Sequence, residues 1–259
     1  MSARVHPAAV VEAGARLGED VSVGPGTIVG PHVSVGDRTR IGGCALLTGW
    51  TTLGADCEIH HGAVLGSPPQ DLKYTGEGPS YLEIGAHTVV REYATANLAT
   101  DPGQATRVGE HCLLMAYAHV AHNCQVGDRV VIANAVQLAG YVIVDRWAIV
   151  GGGTVVHQFA RVGRHAMVGG GSRISQDVAP FVKAAGSPPR NAGVNTIGLE
   201  RRGVPAAVRE ALEAAYRLFF RSRLTAEEAV REIRRRLPGV PEVEHFARFC
   251  ETSVRGVTR

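Results

Sequence analysis

From Val5 to Ile174 an aliphatic residue stands at nearly every sixth position, and few folds accept that period over such a length. Stepping by six gives Val5, Val11, Leu17, Val23, Val29, Val35, Ile41, Leu47, Leu53, Ile59 and Leu65. The phase breaks at 66–83, restarts with Ile84 and Val90, weakens at Ala96 and Pro102, and resumes at Val108. It then runs Leu114, Val120, Val126, Ile132, Leu138, Val144, Val150, Val156, Val162, Val168 and Ile174. Neither a 3.6-residue helix nor a two-residue alternation produces this spacing. A coil with three short faces does: each hexad supplies one flat strand and a corner, and three hexads close one triangular turn. The aliphatic residue then points inward and stacks on its equivalents above and below. Two positions before it the side chains are small, as at Cys57, Cys112, Ala118, Cys124, Ala148, Thr154, Ala160 and Ala166, which suits the narrow interior near a corner. Packing is therefore the expected role of Cys57, Cys112 and Cys124.

Composition supports such a coil. Aromatic residues are only 5% of the chain while glycine contributes 32 residues, a balance of strands and tight turns. The formal net charge of +3 gives no general argument for nucleic acid, and the arginines concentrate late, at Arg201-Arg202 and Arg234-Arg235-Arg236. No continuous apolar run approaches the ~18 residues of a membrane span, and no secretory leader is legible, so the cytoplasm is the expected compartment. Five cysteines without a CxxC pair fit a reducing environment. The interruption at 66–83 must project from the coil as a loop. After Ile174 the texture changes: 178–204 is a Pro/Gly-containing transition, and 205–221 is an amphipathic helix with Val208, Leu212, Tyr216 and Phe219 on one stripe. Thr225 and Glu228 form a capping box for a second helix that Pro238 must end, and 242–253 is a third. The expected division is a coil over 1–190 and a helical unit over 191–259.

Chemistry on a rigid coil belongs to residues that point away from its core. In Ala118-His119-Val120-Ala121-His122-Asn123-Cys124 the register puts Val120 and Cys124 inside, which leaves His119 and His122 off the aliphatic position. In Val156-His157-Gln158-Phe159 the same register turns His157 outward. Six hexads separate Val120 from Val156, so these segments share a face two turns apart, roughly 10 Å along the axis at about 4.8 Å per turn. The loop carries Gln70-Asp71-Leu72-Lys73-Tyr74, a second polar cluster.

At these residues the chain resembles a known family. The runs DLKY, LLMxxxHxAHxC over Leu113–Cys124, VHQF, MVGG and GVNxxGLxRRG over Gly193–Gly203 are similar to those of the UDP-N-acetylglucosamine O-acyltransferases, hexapeptide-repeat enzymes of lipid A biosynthesis. The resemblance extends over essentially the whole chain. It implies a left-handed parallel β-helix with a small α-helical C-terminal region, a homotrimer, and no cofactor or metal beyond the co-substrate. It also implies the reaction: an (R)-3-hydroxyacyl chain passes from acyl carrier protein to the 3-hydroxyl of UDP-N-acetylglucosamine. On that basis His122 is the general base and the Gly140 N–H the oxyanion donor. Asp71, Lys73, His119 and His157 hold the sugar. Gln158, Asn195, Arg201 and Arg202 serve the nucleotide, where guanidinium forks suit phosphate oxygens. Gly170 matches the position that limits acyl length, and a glycine there favours a longer chain.

Four departures from the family pattern touch the site. Asn123 follows the histidine where aspartate is frequent, Tyr141 stands for a histidine, Ile197 for a glutamate, and 95–100 (TANLAT) for a TIHRGT-like run. The base is retained, but the acceptor is left open between a 3-hydroxyl and a 3-amine. A related hexapeptide transferase for another sugar nucleotide is the nearest alternative, against which the DLKY and RRG segments speak. A zinc carbonic anhydrase on the same coil would need three histidines converging on one metal across subunits. A non-catalytic scaffold would have no use for His122.

Overall fold

A computed structural model describes residues 3–259; residues 1 and 2 of the expected coil domain lie outside the described residues. Most strands are two residues long, and they stack into three parallel sheets that form the faces of a triangular coil. The first face rises from Arg4–Val5 to Met167–Val168, the second from Val10–Val11 to Arg173–Ile174, and the third from Arg16–Leu17 to Arg161–Val162. Each rung donates its backbone N–H groups to the rung above, as in His119 N to Val136 O at 2.8 Å and Gln137 N to Thr154 O at 2.9 Å. The chain therefore satisfies its own strand edges turn by turn. The hexad residues face inward in ladders such as Val120, Leu138 and Val156, which pair in register two turns apart as the spacing implies.

The ladder is buried wherever another turn covers it: Leu47, Leu65, Leu114, Val120 and Ile132 are fully inside. Each such side chain contributes about 1.5–3 kcal/mol by leaving water. At the open lower end the register holds but the cover is missing. Val5 is 42% exposed, and Val11 and Leu17 are only half-buried. The small positions are filled as expected, with Cys57, Cys112, Cys124, Ala148, Thr154, Ala160 and Ala166 inside. Burial pushes the thiols of Cys112 and Cys124 up to about 11 and about 12, far from the thiolate that would be reactive.

Successive rungs normally lie 18 residues apart, and two excursions break that rule. Above Leu53 the next rung is Ile84, because 68–80 leaves the coil; residues 66–67 and 81–83 on either side are paired as strand. Above Ile84 the next rung is Val108, and Thr95 pairs with His119 at a separation of 24. Residues 98–104 are therefore a second excursion, which lengthens the turn by six residues. Ala96, weak by type, is a fully buried rung, whereas Pro102 is not a rung at all. Asp101-Pro102-Gly103-Gln104 makes the turn, with Pro second, Gly third at φ 77° and Gln104 N bonded to Asp101 O at 3.1 Å.

Above the last turns the strands Val182–Gly186 and Pro189–Val194 form an antiparallel hairpin on the first face, with residues 190 and 191 inside its second strand. Four helices follow: α1 (Thr196–Arg201), α2 (Ala206–Phe220), α3 (Ala226–Arg236) and α4 (Pro241–Glu251). The hairpin and α1 were absent from the sequence expectation. α2 buries Leu212, Tyr216 and Phe219 with Val208 beside them, and the capping box of Thr225 and Glu228 opens α3. Asp177 joins the parts: its carboxylate accepts the Arg161 N–H and Nε–H, both at 2.8 Å, and the Ser253 hydroxyl at 2.8 Å. No helix among the described residues is long and apolar enough to cross a membrane.

Candidate active site

Each corner of the coil follows one local rule, and that rule decides which groups are available for chemistry. The residue after the rung donates its N–H to the turn above, and the third residue past the rung bonds back to the turn below. At the corner after Leu138, Ala139 N reaches Val156 O at 3.0 Å and Tyr141 N reaches His122 O at 3.0 Å. The N–H between them, on Gly140, has no acceptor among the described residues. The third residue also takes the left-handed conformation: Asn123 has φ 59°, Tyr141 60° and Phe159 64°. Asparagine tolerates that region better than most residues.

His122 stands at the corner between the second and third faces, with 12% of its side chain exposed. Its ring packs against Gly140, where an added Cβ would come within 2.4 Å of Cε1 and 2.5 Å of Nε2. Only glycine permits that approach. Nδ1 turns inward to Asn123 Oδ1 at 3.0 Å, and Nε2 turns outward to within 3.9 Å of Asp71 Oδ2. Behind the imidazole the Asn123 side chain is fully engaged. Its Oδ1 accepts from Thr100 N at 3.0 Å and lies 2.9 Å from the Thr100 hydroxyl, while its Nδ2 donates to Gln104 Oε1 at 2.6 Å. Its backbone N donates to Thr106 Oγ1 at 2.7 Å. Thr100 and Gln104 come from the hidden excursion, so sequence spacing gave no hint of them; the Pro102-Gly103 turn was the readable signal.

In front of His122 lies a cavity of about 710 Å³ whose walls include Asp71, Lys73, Thr100, Asp101, Tyr141 and Gln158. The 68–80 excursion brings in Asp71, whose Oδ1 accepts the Lys73 N–H at 2.9 Å and so fixes the turn of the DLKY run. Tyr141 closes one side, edge-on to His122 with ring centroids 5.4 Å apart and stacked on Phe159 at 4.9 Å. Its hydroxyl is 3.0 Å from Thr100 Oγ1 and 3.4 Å from Asp101 Oδ2. Tyr141 is thus tied to the 98–104 excursion. A second concavity of about 670 Å³ lies on the outside of the third face around the Arg107–Glu83 ion pair; it contains no histidine.

The remaining sequence candidates lie elsewhere in the chain. His119 points off the second face but is half-buried, 2.7 Å from Thr95 Oγ1; burial, aided by the neighbouring His122, holds its pKa below the ordinary imidazole value. His157 is exposed, its Nδ1 bonded to Gln158 O at 3.0 Å. Gly170 is at the corner between the first and second faces, with the Gly152 backbone carbonyl as its nearest contact. Asn195 and Arg202 sit at the third corner. Asn195 is buried and donates to His165 O at 3.0 Å, and Arg202 lies 3.2 Å from His165 Nδ1 with its guanidinium 4.8 Å from the Trp147 ring centre. That guanidinium, with burial as the larger cause, pushes the His165 pKa down to about 4. Arg201 is exposed at the end of α1, near exposed Ile197. Within one chain, then, Asp71, Lys73, His122, Gly140 and Gln158 are gathered together, while Gly170 and the Asn195–Arg202 group occupy the other two corners. Among the described residues no three His, Cys, Asp or Glu side chains are grouped so as to hold a metal ion.

Two family models match this architecture in its two parts. The bacterial transferase hexapeptide (six repeats) covers 14–49 and 105–140, and domain 2 of UDP-N-acetylglucosamine O-acyltransferase covers 177–258. The acyl-[acyl-carrier-protein]–UDP-N-acetylglucosamine O-acyltransferase of Thiobacillus denitrificans is 45% identical over 259 residues, spanning 99% of this chain and 100% of that one. The chain belongs to the UDP-N-acetylglucosamine O-acyltransferase family. The same named enzyme of Alkalilimnicola ehrlichii is 45% identical over 99% of both chains. The solved LpxA of Acinetobacter baumannii superimposes with a TM-score of 0.95 at 38% identity, over 98% of this chain and 99% of that one. The UDP-N-acetylglucosamine O-acyltransferase of Moraxella catarrhalis gives 0.94 at 38%, with the same coverage. The coil is accordingly the left-handed parallel β-helix of this family, an exception to the right-handed crossover of most parallel sheets.

Proposed function

We propose that this protein transfers an (R)-3-hydroxyacyl chain from the thioester of acyl carrier protein to the 3-hydroxyl of UDP-N-acetylglucosamine, the first step of lipid A biosynthesis. The observation that carries the mechanism is the pairing of His122 with Gly140. One imidazole nitrogen faces a polar cavity, and the ring packs against Gly140, whose backbone N–H has no acceptor among the described residues. An imidazole with a reference pKa near ~6.5 suits reversible proton transfer at neutral pH.

The steps follow from those atoms. His122 Nε2 takes the proton of the sugar 3-hydroxyl as the oxygen attacks the thioester carbonyl carbon. The tetrahedral oxyanion is met by the Gly140 N–H, which is already oriented and needs no side chain. The carbon–sulfur bond then breaks, and His122 returns its proton to the departing thiolate. Asp71 can only accept, so it takes a neighbouring sugar hydroxyl and, 3.9 Å from Nε2, steadies the imidazolium. Lys73, His119 and His157 complete the sugar contacts, and Gln158, Asn195, Arg201 and Arg202 those of the nucleotide.

A homotrimer accounts for the spread of these residues over three corners. One ligand cannot touch three corners of one triangle, but a threefold assembly lays one corner of a subunit beside a different corner of the next. The first face also carries an outward apolar ladder of Val89, Leu113, Val131, Ile149 and Met167, a surface suited to burial between subunits. Gly170 brings no side chain to its corner, which favours a long acyl chain. The protein works in the cytoplasm and uses the acyl carrier protein thioester as co-substrate, with no further cofactor.

The test is a matrix assay. UDP-N-acetylglucosamine and its 3-amino analogue are each offered with 3-hydroxyacyl carrier proteins of several chain lengths. Ester formation on the 3-hydroxyl with a long chain is the expected preference. Amide formation without ester formation would instead assign the protein to a 3-amino acceptor, and no transfer in any combination would refute the proposal.

A further inference from the structure

Asn123 raises a problem of direction. In a histidine dyad the neighbour must accept from Nδ1–H so that Nε2 keeps its lone pair, and a carboxylate can only accept. A carboxamide can present either its oxygen or its NH2. If it presents the NH2, the proton moves to Nε2 and the base is lost; in serine proteases an asparagine at the equivalent position costs about 10⁴ in kcat for this reason.

The contacts of Asn123 settle the direction. The Thr100 N–H is a donor and nothing else, and it points at one end of the carboxamide at 3.0 Å. That end is therefore Oδ1. The other end faces Gln104 Oε1 at 2.6 Å and is therefore Nδ2. The Thr100 hydroxyl also has the Asp101 carboxylate at 3.0 Å, a better acceptor for its single proton than an amide oxygen. One lone pair of Oδ1 is then taken by the Thr100 N–H, and the second faces His122 Nδ1 at 3.0 Å. The side chain is buried, 7% exposed, so water does not compete for it.

We infer that the excursion 98–104 is a tautomer lock: through Thr100 and Gln104 it holds the Asn123 oxygen toward His122, so that Asn123 acts as the positioning residue for the base in place of a carboxylate. Because Asn123 is neutral, the lock orients the imidazole without placing a charge beside it. The inference rests on His122 being the base.

The test loosens the lock without touching His122 or Asn123. Thr100→Pro with Gln104→Leu removes the backbone N–H that fixes Oδ1 and the Nδ2 acceptor, and leaves the carboxamide free to turn over. The expected result is a fall in kcat on the order of 100-fold, within the range of a lost general base, with KM for both substrates changed less than about threefold. Adding Asn123→Asp to that pair restores most of the activity, because a carboxylate cannot present the wrong end; recovery also shows that the pair folds. Asn123→Asp alone moves the acid limb of the kcat/KM profile upward by about 1 pH unit or more, the effect of a nearby negative charge. Unchanged kcat in the loosened pair, a loss that Asn123→Asp does not recover, or an unmoved acid limb would each overturn the lock. An active His122→Ala variant would instead overturn the assignment of the base itself.

Discussion

A single methyl group at Gly140 tests how closely the chemistry depends on one ring position. Gly140 has none of the left-handed φ values seen at other glycines, so alanine fits its backbone. The three nearest atoms to the new Cβ all belong to the His122 ring, the closest at 2.4 Å, whereas ordinary contact begins at 3.4 Å. The imidazole must therefore move by about 1 Å, away from Gly140 and out of line with Asn123. A displacement of that size in a catalytic group costs about 10²-fold in rate, or roughly 2.7 kcal/mol of barrier. Stability changes by less than about 1 kcal/mol, because Gly→Ala at a compatible site reduces the freedom of the unfolded chain. Steady-state acyl transfer with thermal unfolding in parallel separates the two effects. A Gly140→Ala enzyme with wild-type kcat would refute the close contact between ring and backbone as a catalytic requirement.

Three further outcomes follow from other parts of the molecule. Asp177→Ala strands the Arg161 guanidinium, whose side chain is 22% exposed, beside a carboxylate site that is 2% exposed. The loss of about 3 kcal/mol lowers the unfolding midpoint by roughly 6–12 °C, and a shift under 2 °C would contradict the joint. His165 has a folded pKa of about 4, below its ordinary 6.5, so the unfolded chain binds the extra proton between those values and stability falls as pH drops from 6.5 toward 4. His165→Gln flattens that part of a melting-temperature profile; an equally steep profile would refute the assignment. Chelator dialysis leaves acyl transfer unchanged, and a loss reversed by zinc would favour metal chemistry instead.

The coil was legible because an inward ladder imposes a strict period on the sequence, and the buried residues from Val21 to Ile174 follow it closely. The second excursion was hidden by the same rule. Six extra residues leave the hexad phase intact, so Ala96 and Pro102 looked like weak rungs when only Ala96 is one. That excursion holds Thr100 and Gln104, and so the direction of the Asn123 carboxamide could not be read from spacing. The Arg202–His165 contact and the short α1 depend on the C-terminal unit folding back on a corner of the coil, which no local pattern records. His122 was recognisable as lying off the core position. Its contact with Gly140, and the turning of Nδ1 inward and Nε2 outward, are properties of two adjacent turns and needed the structure.

Single-turnover acyl transfer by His122→Ala, with the mass of the assembly measured on the same sample, tests the central claim most directly. A rate lower by about 10²–10⁴-fold in an assembly of unaltered mass is the expected result. An undiminished rate in that assembly would show that another group takes the proton from the sugar.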